Sequence, residues 1–324
     1  MPTYQTENMQ DIKLFSGRSN PRLAEGIAHY LGISPGAMVI KNFSDGELYV
    51  RIQDSIRGEN IFIVQSLCNP VNDNLMELLI MVDAFKRASA KSITVVVPYY
   101  GYARQDRKAS GREAITAKLV ADLLTTAGVT RVLAMDLHAG QIQGFFNILV
   151  DHIHATALLA GHIEKLKINP ADLVIVSPDT GGVSRARHLA KRLGCTIAII
   201  DKRRDKHNEA IAAYAIGDVK GKVCVLFDDI IDTAGTICEA ARLLVEEGAK
   251  EIYVCAVHPV FSGKALERLA AAPIKECIVT NTIPLDTAAL PPNIKQLSVA
   301  PLLAQAIALI QSNGSVSALF GEER

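Results

Sequence analysis

The chain of 324 residues is long enough for two domains at roughly 150 residues each. Hydrophobic residues make up 49% and charged residues 21%, which excludes a disordered or collagen-like chain. Lys+Arg and Asp+Glu both number 34, and aromatic residues are only 5%, so the basic footprint and stacking surface of a sequence-independent nucleic-acid binder are missing and any bound anion must be met by local groups.

The amino terminus, MPTYQTENMQ, is polar and lacks the apolar stretch of a signal peptide. From Asp11, DIKLFS reads as a strand, followed by a Ser/Gly/Pro turn and a helix with Leu23, Ile27 and Leu31 on one face, closed by Leu-Gly. DSIRGENIFIVQSL supplies the next apolar strand, and MELLIMVDAFKRASAKSITVVVPYYG a helix passing into a third. Glu77 and Asp83 interrupt the most apolar helix, and no run approaches the roughly 18 apolar residues of a membrane span. RVLAMDL is a further strand, with His138 just beyond its carboxyl end.

At Asp172 the pattern starts again. DLVIVSPDTGGVSRARHLAKRLG matches the segment from Asp11, with Val183, Ala186, Leu189 and Leu193 as its apolar face and Leu-Gly as its stop. GDVKGKVCVLFDDI matches DSIRGENIFIVQSL, and ICEAARLLVEEGAKEIYVCAVHPVFSG matches the second helix and third strand. Apolar strands without alternation, separated by amphipathic helices, imply parallel sheets covered on both faces. The expected fold is α/β, two tandem doubly wound parallel-sheet domains at residues 1–155 and 156–324, with the tail 294–312 free to pack on the first. Six cysteines with neither a C-x-x-C pair nor a zinc spacing read as reduced core residues, which points to the cytoplasm.

Ligands of such sheets bind beyond the carboxyl ends of the strands, so polar equipment present in only one copy is informative. The strand KVCVLF runs into Asp228, Asp229, Ile230, Ile231, Asp232, Thr233, Ala234, Gly235 and Thr236 before the next helix, whereas the first copy has QSLCNPVND from Gln65. Backbone N–H groups and hydroxyls at 233–236 can ring a phosphate at the positive end of a helix dipole. Asp228 and Asp229, placed where the strand ends, can accept hydrogen bonds from sugar hydroxyls or hold Mg²⁺. The plainer alternative is a helix cap with two solvated acids. Neither G-x-x-x-x-G-K-[ST] nor G-x-G-x-x-G occurs, so neither the common ATP loop nor a dinucleotide fold is signalled.

VLFDDIIDTAGT resembles the phosphoribosyl-pyrophosphate motif of type I phosphoribosyltransferases, and the chain from about Leu14 to Leu303 resembles the ribose-phosphate pyrophosphokinase family. NFSDGE, PYYGYARQDRK, DLHAGQIQGFF, SPDTGG, IIDKRR and DDIIDTAGT stand in that family's order. The resemblance implies type I phosphoribosyltransferase-like domains that make phosphoribosyl pyrophosphate and AMP from ATP and ribose 5-phosphate with Mg²⁺, as a homo-oligomer, often a hexamer, engaging neither nucleic acid nor membrane. It assigns ATP to Phe43, Asp45, Gly46, Glu47, Arg104 and Gln105, and the metal to His138 and Asp179. It assigns ribose 5-phosphate to Asp228, Asp229, Asp232, Thr233, Ala234, Gly235, Thr236 and Arg204, and catalysis to Lys202 and Arg204 on a loop that follows the strand TIAII. Taken alone, FSDGE is a hairpin turn and KRR a solvated charge run. A phosphoribosyltransferase, a non-catalytic regulatory paralogue and a binding module without turnover are the rivals; the duplicated unit with the NFSDGE and RQD segments counts against the first and the intact loop cations and cradle acids against the second, while the third predicts saturable ATP binding and no AMP. Gly111, Ala114 and Asp205 depart from the family pattern at positions without an assigned role.

Overall fold

The computed structural model describes residues 12–203 and 212–320, which divide into two compact units. The first comprises the chain up to His154, Thr282–Pro284 and the segment from Ser298 onward; the second comprises Ala155–Asn281 and Leu285–Leu297.

The first unit opens with β1 (Ile12–Ser16), α1 (Pro21–Leu31) and a hairpin of β2 (Met38–Asn42) and β3 (Leu48–Ile52). It continues through β4 (Asn60–Val64), α2 (Val71–Arg87), β5 (Ser92–Val97), α3 (Thr116–Ala127), β6 (Arg131–Met135) and β7 (Leu149–Ile153). Its main sheet has the order β1-β4-β5-β6-β7 with every pair parallel. Helices on both faces leave consecutive residues of β4 and β5 buried, which is why these strands are apolar without alternation.

The second unit runs α4 (Thr156–Glu164), β8 (Leu173–Ser177), α5 (Val183–Leu193), β9 (Thr196–Arg203), β10 (Ala212–Ile216) and β11 (Val223–Ile231). It then runs α6 (Gly235–Glu246), β12 (Glu251–Pro259), α7 (Ala265–Ala271), β13 (Glu276–Thr280) and β14 (Ile294–Leu297). The sheet order is β10-β9-β8-β11-β12-β13-β14, parallel except for β10, which lies antiparallel on β9.

The series β8-β11-β12-β13 repeats β1-β4-β5-β6, and the copies part at one place. The chain after α5 joins its sheet as β9 beside β8, while the chain after α1 forms the separate hairpin β2/β3. In the second unit the chain therefore steps to one side of β8 with β9 and to the other with β11, which makes the carboxyl ends of β8 and β11 the topological switch point.

Local signals agree with the elements. Leu23, Ala24, Ile27, Ala28 and Leu31 bury one face of α1, and Ala186, Leu189, Ala190 and Leu193 one face of α5; each helix ends on a left-handed glycine, Gly32 or Gly194, whose N–H returns to helix carbonyls. The last helix, α8 (Ala300–Gln311), belongs to the first unit and lies so close on α1 that a Cβ at Gly26 would come within 3.1 Å of the Ala300 methyl. Among the described residues no helix is long and apolar enough to cross a membrane.

Two strands run further than the sequence suggests. β9 continues through Lys202 and Arg203, because β10 pairs with them through Ala213 and Ala212; Lys202 thus stands in strand backbone and not in a loop. β11 continues through Asp228 and Asp229 to Ile231, because β12 supplies ladder partners as far as Pro259. Polar side chains hid both extensions.

Candidate active site

At the switch point, pairing of β11 with β8 stops at Leu226 and Val176, so the acids beyond Leu226 have no ladder partner on that side. Asp229 is 3% exposed, Asp228 is half-buried, and the Asp229 N–H donates to Asp228 Oδ1 at 2.8 Å. Arg185, in the first turn of α5, lies 3.1 Å from an oxygen of each acid. Burial pushes the Asp228 carboxyl up to about 8; the hydrogen bond and charge of Asp229 add to the rise, and Arg185 opposes it. At neutral pH the pair therefore keeps a proton, and it titrates as a pair.

Beyond the acids, Asp232 to Ala234 make the turn into α6. Ala234 stands in the left-handed region at φ +60, no side chain caps the helix there, and Gly235 and Thr236 begin its first turn. Arg268 of α7 donates to the Thr233 carbonyl at 2.8 Å, which brings a guanidinium beside the turn. On the β8 side, Asp179 Oδ1 accepts the Gly182 N–H at 2.9 Å and Ser177 Oγ donates to the Asp179 carbonyl at 2.7 Å. A Cβ on Gly182 would meet Ser177 Oγ at 2.7 Å, so a larger residue there would displace that hydroxyl from the Asp179 carbonyl. Thus the structure brings Asp179, Asp228, Asp229 and residues 232–236 to one end of one sheet, around an anion-seeking helix start.

The segments expected to take ATP lie on two loops of the first unit. Phe43 to Glu47 form the β2–β3 hairpin loop; Phe43 is 48% exposed, edge-on to Tyr49 at 5.7 Å, with the Lys41 ammonium over both rings. The segment really is a hairpin turn, and it presents an aromatic face. Arg104 and Gln105, both exposed, follow β5, where Thr116 Oγ1 donates to Gln105 Oε1 at 2.6 Å. Exposed His138 follows β6, the strand paired with β5, and Gln141 Nε2 donates to Asp106 Oδ2 at 3.0 Å, tying the two rim loops together. Lys202 is placed by its backbone in β9, and Arg204 lies outside the described residues.

Two family models match, one described as the N-terminal domain of ribose phosphate pyrophosphokinase over residues 12–128, the other as a phosphoribosyl synthetase-associated domain over residues 208–321. The ribose-phosphate pyrophosphokinase of Gloeobacter violaceus is 56% identical over 95% of this chain and 93% of its own, and that of Synechococcus elongatus 57% identical over 95% and 93%. This chain belongs to the ribose-phosphate pyrophosphokinase family. In structure it is similar to the phosphoribosylpyrophosphate synthetase of Mycobacterium smegmatis, with a TM-score of 0.89 and 47% identity over 94% of this chain and 100% of that one.

Membership in the family directs attention to residues that no sequence pattern marked. Arg185 looks like one more cation on an amphipathic helix, and Arg268 like a surface residue; only the structure sets Arg185 against the acid pair and Arg268 on the Thr233 carbonyl. His138 and Asp179, one in each unit, are exposed and carry a nitrogen and a carboxylate donor. Among the described residues no group of three or more His, Cys, Asp or Glu is assembled to hold a metal.

Proposed function

We propose that this protein transfers the pyrophosphoryl group of Mg·ATP to the anomeric hydroxyl of ribose 5-phosphate, giving phosphoribosyl pyrophosphate and AMP for nucleotide biosynthesis. The observation that carries the site assignment is the acid pair Asp228–Asp229 beside the uncapped start of α6, in a chain of this family. A sugar phosphate needs both parts: N–H groups for its dianion and oxygen acceptors for its hydroxyls.

In this reading Thr233, Ala234, Gly235 and Thr236 hold the 5-phosphate through backbone N–H groups and hydroxyls, and Asp232 shapes the turn. Asp228 and Asp229, sharing a proton, both donate to and accept from the ribose hydroxyls; Arg185 offsets the one negative charge that remains. Phe43 stacks on adenine, Asp45 and Glu47 accept from polar groups of the nucleoside, Gly46 lets the loop close, and Arg104 and Gln105 bind phosphate oxygens. Lys202 and Arg204 neutralise the charge that grows during transfer, where positioning and electrostatics do most of the work. His138 and Asp179 would hold Mg²⁺, which when bound withdraws charge from the phosphates being transferred.

The assignment extends to a cytoplasmic location, supported by six cysteines that form no disulfide, and to a homo-oligomer, a hexamer on the family's pattern. Incubation with Mg·ATP and ribose 5-phosphate, with product identification, is the test. AMP and phosphoribosyl pyrophosphate in equal amounts without any nucleobase are expected; ADP, or no turnover, would refute the reading.

A further inference from the structure

The nucleotide loop is fixed from outside itself. Glu77 of α2 is 2% exposed, and a carboxylate so placed is costly unless paired. Three donors meet it: the Arg18 backbone N–H at 2.6 Å, Arg18 Nε at 2.6 Å and Gln65 Nε2 at 3.1 Å. Arg18, pinned by backbone and side chain, directs Nη1 to Asn42 Oδ1 at 2.8 Å. A guanidinium only donates, so Asn42 must face it with oxygen, and its NH₂ is left to donate to the Gly46 carbonyl at 3.1 Å.

Gly46, at φ +95, is the residue around which the loop turns. Within the loop the Phe43 N–H reaches the Glu47 carbonyl at 2.8 Å, and the Gly46 N–H the Phe43 carbonyl at 3.0 Å. A continuous run of hydrogen bonds therefore leads from a buried carboxylate through Arg18 and Asn42 to the carbonyl of the loop's turning residue. A cavity of about 400 Å³, lined by Arg18, Asn42, Gly46, Glu47 and Met76 among others, opens beside that run.

We infer that Arg18 and Asn42 are positioning residues for ATP: through Gly46 they hold the Phe43–Glu47 loop in its nucleotide-binding shape, using buried Glu77 as the anchor. This rests on the assignment of that loop to ATP. Neither residue touches the nucleotide in this scheme, so their loss shows as weaker ATP use and not as failure of the transfer itself.

Arg18→Ala alone strands the Glu77 charge and endangers the fold, so the decisive variant is Asn42→Ala at the exposed end, with Phe43→Ala alongside. Asn42→Ala should raise KM for ATP about ten-fold, the value of one charge-assisted hydrogen bond, with KM for ribose 5-phosphate and kcat at saturating ATP shifting by less than about two-fold. The double variant Arg18→Ala/Glu77→Gln should give the same rise, and adding Asn42→Ala to it should add little, because the three act as one unit. An unchanged KM for ATP in Asn42→Ala beside a raised one in Phe43→Ala overturns the positioning role alone; unchanged values in both overturn the nucleotide assignment with it. Equal increases in both KM values with a fall in Tm make Asn42 a fold residue and also overturn the inference.

Discussion

Asp228 shows how one environment links stability and binding. An aspartate in an unfolded chain titrates at about 4, whereas burial and Asp229 hold Asp228 protonated up to about 8. Between those values the folded state binds more protons than the unfolded state, so stability falls as pH rises across the window. Urea midpoints should decline between about pH 4 and about pH 8, and the decline should flatten in Asp228→Asn. An unaltered slope in that variant would place the extra proton elsewhere. In the proposed reading Lys202 acts at the same scale, through charge alone. Lys202→Ala is expected to lower kcat by roughly two to three orders of magnitude, with ATP binding retained, because its help belongs to the transition state. A coupled AMP assay with equilibrium nucleotide binding separates the two effects, and an unchanged rate removes the role.

The turn into α6 is the element on which the proposed sugar-phosphate site depends, and Ala234 is its strained point. A non-glycine residue at φ +60 costs about 1 kcal/mol, while the Ala234 methyl, 5% exposed in the core of the second unit, contributes about 0.8 kcal/mol by burial. The terms oppose each other, so Ala234→Gly should leave stability within about 0.5 kcal/mol of the parent. Binding should respond differently: a glycine turn is less preorganised, and KM for ribose 5-phosphate should rise several-fold. If that KM stays fixed, the rigidity of the turn has no part in binding. The hairpin β2/β3 carries the same lesson, since FSDGE is both a turn by its chemistry and, through Arg18 and Asn42, a turn held in one shape.

Across the whole molecule, duplication has not given duplicate sites. The place in the first unit that corresponds to the proposed sugar-phosphate site is filled: Gln65 is fully buried, its Oε1 accepts the Ser19 hydroxyl at 2.7 Å, and Ser66 Oγ donates to the Thr282 carbonyl at 2.6 Å. A Cβ on Gly17 would strike Gln65 Oε1 at 2.2 Å, so the Gln65 side chain packs directly on this turn. Calorimetric titration with ribose 5-phosphate should give one site per chain; two would mean that this polar plug opens.

Periodicity and turn chemistry suffice to show two copies of an α/β unit, because a helix face repeats every three to four residues and a doubly covered parallel strand is apolar throughout. The segment DDIIDTAGT is likewise legible, since short-range spacing alone sets an uncapped helix start behind two acids. Tertiary structure decided what depends on partners distant in sequence. β10 and β12 extend β9 and β11 through polar residues, and Arg185 and Arg268 come to the acid pair and to the Thr233 carbonyl from other helices. Arg18 reaches a carboxylate 59 residues away. A strand's length and a charge's partner are set by what lies beside them in space, and a linear pattern holds no record of that neighbour.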